Sequence, residues 1–88
     1  MSPTITIPNN QVPDVRRELS RMEHRRRWPL GRRNGHEAAI LRAARIRLGG
    51  AMIESMEAGR PTVTLDLGEA AIYVEEALER LRAAPQPR

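Results

Sequence analysis

His24 and His36 are the only histidines in an 88-residue chain, and each stands beside a glutamate, Glu23 and Glu37. Imidazole and carboxylate are metal-ligand chemistry, so these four groups could in principle converge across a loop. Neighbours on a helix point about 100° apart, so an adjacent pair does not aim both groups at one ion. A closed site also needs four convergent donors. The expectation is two solvated surface histidines and no metal. The nucleophile pool is Ser2, Ser20, Ser55 and a few threonines, none of them in a nucleophile elbow or a Gly-rich loop. Gly49-Gly50 lacks the spacing of a phosphate cradle and the Lys that would complete one. With no Cys, thiol chemistry and disulfides are both excluded. No catalytic residue and no cofactor site is expected, and the chain is read as not an enzyme.

The densest chemistry is cationic. Arg25-Arg26-Arg27-Trp28 is followed closely by Arg32-Arg33, with Arg16, Arg17 and Arg21 upstream and Arg42, Arg45 and Arg47 downstream. Guanidinium groups beside an aromatic could contact phosphates while Trp28 stacks on a base or fills a partner's pocket. The plainer reading is a solvated helix end, where positive charge is favoured, with Trp28 closing the core beneath the loop. Arg16, Arg17, Arg21, Arg25, Arg26, Arg27, Trp28, Arg32 and Arg33 are the candidate partner or nucleic-acid contacts. Glu18 and Glu23 offset part of this charge by local pairing with Arg21 and Arg27. All fifteen basic residues are Arg, which suits a GC-rich coding bias, so position says more than type. Residues 1–50 hold eleven Arg against four acids; residues 51–88 hold four Arg against seven acids. Such asymmetry concerns partners more than fold.

The elements that must carry these groups follow from periodicity. Residues 4–7, Thr-Ile-Thr-Ile, alternate polar and β-branched apolar side chains, which is a short strand with one buried face. Pro8 stops it, and Asn9-Asn10 is turn chemistry. A first helix starts near Pro13, with Val12, Val15, Leu19 and Met22 as its apolar stripe; Arg16, Arg17, Glu18 and Arg21 lie off that stripe. Pro29 ends the helix at or before Trp28. Asn34 with Glu37 reads as a capping box opening a second helix. Leu41, Ala44, Leu48, Met52 and Met56 form its buried row, and Ile40, Ile46 and Ile53 widen the apolar surface, so it is expected to be central and packed from two directions. Gly49-Gly50 either ends this helix or permits a close crossing; continuity to about Ala58, capped by Gly59, is favoured. Residues 62–65, Thr-Val-Thr-Leu, form a second strand. Asp66 with Glu69 reads as another capping box, opening a third helix on Leu67, Ala71, Val74, Leu78 and Leu81. The strands could pair within one chain or with their mates across a dimer.

The expected fold class is α+β, mainly helical, in the order β-α-α-β-α, with a short two-stranded ribbon and three helices. Residues 1–84 form one small domain and residues 85–88 a flexible tail. Six Ile, eight Leu, four Val and four Met stand beside one Trp, one Tyr and no Phe. A core this modest gains from a second copy, so a homodimer is expected. No apolar run approaches a membrane span, and residues 1–8 lack a secretory pattern, so a cytoplasmic protein with no membrane partner is expected.

The first fifty residues partly resemble ribbon-helix-helix DNA-binding proteins: a strand, a helix, the Leu30-Gly31-Arg32-Arg33-Asn34 turn and a second helix follow in that order. The resemblance implies that Thr4 and Thr6 face bases from a ribbon built by two chains. It also implies that Asn34 and Gly35 offer backbone N–H groups to a phosphate. The strand holds no Arg, Lys, Gln or Asn, and the likeness leaves residues 61–82 unexplained. By composition the whole chain also resembles small orphan proteins of actinobacteria and their phages, which implies an accessory product that binds a host component. Two functions are therefore expected in competition. One is a dimeric interaction module that binds and modulates a host or cellular protein. The alternative is a nucleic-acid-binding regulator using the Arg-rich surface of residues 16–47.

Overall fold

The computed structural model describes residues 4–27 and 35–83, apart from the side chains of Arg26 and Arg27. The order is β1 (Thr4–Pro8), α1 (Val12–Arg27), α2 (Gly35–Glu57), β2 (Thr62–Asp66) and α3 (Ala71–Ala83). Single 3-10 turns at Asn9–Gln11 and Gly68–Ala70 lead into α1 and α3. This is the mainly helical α+β arrangement that the periodicity implies.

The two strands pair with each other in one chain, antiparallel, with Ile5 opposite Leu65 and Ile7 opposite Val63. Ile5, Ile7 and Val63 are buried, while Thr4, Thr6 and Thr64 are exposed on the other face. The ribbon is therefore one-sided, as alternation with period two requires. The Thr6 and Thr64 hydroxyls meet across the outer face at 3.0 Å. β1 runs one residue further than expected, because Pro8, at the strand end opposite Thr62, needs no N–H there.

Val12, Val15, Leu19 and Met22 of α1 are fully buried and meet Leu41, Ala44 and Leu48 of α2. Ala71, Val74 and Ala77 of α3 complete the same core. The α2 row departs from expectation at its end: Met56 is exposed and Ser55 is buried. Each four-residue step rotates about 40° around a helix, so Met52 and Met56 drift off the face that Leu48 occupies. Seven residues return to within about 20°, which places Ser55 under Leu48. The Ser55 hydroxyl then donates to the carbonyls of Thr62 (2.7 Å) and Arg60 (3.3 Å), tying α2 to β2. Gly59 ends α2 at φ 73°, with Arg60 N–H bonded to Ser55 O and Gly59 N–H to Met56 O. That pair of bonds is a Schellman cap.

Two further expectations are corrected. Asp66 does not form a capping box with Glu69. Its Oδ1 accepts the N–H of Gly68 two residues on, at 2.9 Å, and Gly68 adopts φ 59°. This Asx turn suits a chain that must reverse from a strand, and the 3-10 turn starts the helix instead. Nor is the whole apolar surface of α2 enclosed. α1, β2 and the turn before α3 pack against it, but Ile46 and Ile53 face outward and do not widen its buried surface. Asn34 lies outside the described residues, so the cap at the start of α2 does too, as do residue 84 and the expected tail, residues 85–88.

Candidate functional site

Among the described residues, four cations of the first half, Arg21, Arg25, Arg42 and Arg45, lie against two carboxylates that the sequence does not mark as special. Glu18 and Glu23, on α1, are only 7% and 6% exposed. They flank the Val12–Val15–Leu19–Met22 stripe about 70° to either side, so each is carried to the seam with a different neighbouring helix. Glu18 sits toward α3. It accepts from Arg21 at 3.0 Å and lies 3.9 Å from both Arg25 and Arg80. Glu23 sits toward α2, where Arg45 and Arg42 both donate to it, the latter at 3.3 Å. On the same border Arg16 lies over Gly49, and its Nε donates to the carbonyl of Arg45 at 3.0 Å. Arg17 pairs with Asp14 on the surface.

Of the candidate contact residues, Arg16, Arg17, Arg21 and Arg25 are thus brought into intramolecular pairs, not gathered as free charges on one face. The side chains of Arg26 and Arg27, and Trp28, Arg32 and Arg33 entirely, lie outside the described residues. So does the expected pairing of Glu23 with Arg27. Glu18, placed off the apolar stripe by its sequence position, is buried. Its sequence signal was the i,i+3 spacing to Arg21 alone. What buries it is α3, which delivers Arg80 from far along the chain.

The histidine–glutamate pairs do not converge. Glu23 is engaged as above, Glu37 accepts the Tyr73 hydroxyl at 2.8 Å, and His36 lies 4.0 Å from Glu69. Among the described residues no group of three or more His, Asp or Glu has the arrangement of a metal site. Of the serines, Ser55 spends its proton on backbone carbonyls, and Ser20 is exposed beside His24 in a shallow groove of about 150 Å³. Another groove, about 310 Å³, runs beside Ser55 between the end of α2 and β2, with Glu54 and Arg60 among its lining residues. Thr4 and Thr6 lie on the exposed face of a ribbon made within one chain. No described helix is long and apolar enough to cross a membrane.

The surface that remains is aliphatic. Ile46 (66% exposed), Ile53 (54%) and Met56 (61%) project from α2, and Ile72 (69%) from α3. On α2 the exposed Ala39, Ala43 and Gly50 join Ile46 and Ile53 in one row. Side chains of this size in water cost roughly 25 cal/mol per Å² relative to burial, so a row of them is a surface awaiting a cover.

No protein-family model, no curated protein and no solved structure matches the chain.

Proposed function

We propose that this chain is a non-enzymatic protein-interaction module, dimeric, that binds and modulates a cellular protein through the outer faces of α2 and α3. The observation that carries this reading is the exposed aliphatic set Ile46, Ile53, Met56 and Ile72 on a chain whose buried core is already complete without them. The pairing of Arg16, Arg17, Arg21, Arg25, Arg42 and Arg45 inside the molecule supports it further. A cation that already shares a buried carboxylate has less to gain from a phosphate, so the positive half attracts nucleic acid less than its arginine count implies. On α3, Ile72 stands with Glu75 and Glu79 at helical spacing, an apolar anchor with acidic neighbours, which suits a basic partner surface.

The test is affinity capture with the tagged chain, with and without nuclease. The expected result is a protein partner that survives nuclease and is lost on Ile72→Asp. A parallel titration with generic duplex DNA at low salt should show no binding. DNA binding that weakens log-linearly with salt, and disappears when Arg25, Arg26, Arg32 and Arg33 are replaced together, would establish the nucleic-acid regulator instead.

A further inference from the structure

We propose that the outer face of α2 is covered by the same face of a second copy, packed antiparallel with its crossing point at Gly49-Gly50. This rests on the reading of the chain as an interaction module and assigns one of its two faces to self-association.

The row along α2 is symmetric about the glycine pair. Ile46 lies three residues before Gly49, and Ile53 three residues after Gly50. Arg42 lies seven before, and Glu57 seven after. Arg42, Ile46, Ile53 and Glu57, with Ala43 and Gly50, project within an arc of about 100° on an ideal helix. A two-fold axis perpendicular to α2 at the glycines would therefore set Ile46 against the partner's Ile53, and would bring Arg42, which also bonds Glu23 of its own chain, beside the partner's Glu57, each contact occurring twice. An isologous interface requires this self-complementarity. Arg47 and Glu54 share one flank of the row and would also meet, offset by roughly 3 Å along the axis. Among the described residues neither has an ion-pair partner within its own chain. A Cβ added at Gly50 would meet nothing within 4 Å, so the backbone is bare where two helices must approach most closely.

The charge order on this face is the reverse of what an isolated helix prefers. Cations stabilise a helix C-terminus and anions an N-terminus. Yet the exposed cations Arg42 and Arg47 stand before and just past the middle of α2, Glu54 and Glu57 near its end, and no basic residue occupies the last turn. An antiparallel copy removes the mismatch, because it lays its arginines along the carboxylates at the C-terminal end. A parallel copy would set arginine against arginine and glutamate against glutamate, which is disfavoured.

Sedimentation equilibrium on the full chain, with charge-reversed variants, tests this. Arg47→Glu and Glu54→Arg should each weaken self-association about tenfold or more by opposing like charges at two symmetric places, and the double variant should restore it to within about threefold. Because both side chains are exposed, circular dichroism should show the same folded chain in every variant. Because the chain has no cysteine, Ile46→Cys mixed with Ile53→Cys should form mainly the mixed disulfide on oxidation, and neither variant alone should cross-link comparably. Dominant 46–46 and 53–53 links, an additive loss in the double variant, or a monomer at all concentrations would overturn the proposal. A monomer that still captures a protein partner would overturn the self-interface while leaving the module reading intact. A dimer of the expected register that captures nothing would do the opposite.

Discussion

Glu23 joins α1 to α2 through Arg42 and Arg45, and its carboxylate is nearly free of solvent. Charge-assisted hydrogen bonds to a group so placed are worth more than surface pairs, and removing the acceptor leaves a partly buried guanidinium unpaired. Glu23→Ala should cost about 2–3 kcal/mol in urea unfolding. Asp14→Ala, which breaks only the exposed pair with Arg17, should cost under about 0.5 kcal/mol. Equal effects would mean that Glu23 is solvated like any surface acid. At this scale the sequence offered the acids and their local spacing to Arg21 and Arg27. It could not offer Arg42, Arg45 or Arg80 as partners, because those contacts exist only once three helices are packed.

Within α2 the two glycines share a sequence neighbourhood but not an environment. Gly49 faces α1, and a Cβ there would come within 3.1 Å of the Arg16 guanidinium carbon. Gly50 faces outward into open space. Gly50→Ala should therefore stabilise the folded monomer by about 1 kcal/mol, the ordinary helix gain. Gly49→Ala should gain clearly less, because the Arg16 side chain must move from the Arg45 carbonyl it bonds. Thermal melts of both variants at a concentration where the chain is monomeric check the difference. At the far end of α2, Ser55→Ala should cost about 1 kcal/mol by stripping the carbonyls of Thr62 and Arg60 of a donor. The helix itself, its continuity through the glycines and its Gly59 cap were legible from spacing and residue type. Which side of the broad apolar surface would be buried was not, because periodicity reports that a face is apolar and not which element covers it.

Across the whole molecule, the ribbon ties residues 4–8 to residues 62–66 and so makes the two halves of the chain one folding unit. Ile5 and Ile7 enter the core that the helices build, and burying two such side chains is worth about 4–5 kcal/mol. That is comparable to the net stability of a small domain. Deleting residues 1–8 should therefore abolish cooperative unfolding by circular dichroism, and a fragment of residues 1–50 should not fold alone. The charge imbalance between the halves is real in sequence; in the fold the carboxylates of Glu18 and Glu23 on α1 are shared among several arginines, Arg42 and Arg45 from α2 and Arg80 from α3 among them. The sequence by itself determined the element order, the α1 and α3 stripes and the one-sided strands, because short-range periodicity and turn chemistry act within a few residues of one another. Only the tertiary structure decided that the strands pair within one chain, that Glu18 and Glu23 are buried among arginines, and that Ile46 and Ile53 are left outside. Those outcomes depend on which faces meet across more than twenty residues of chain, and local preferences carry no information about that choice.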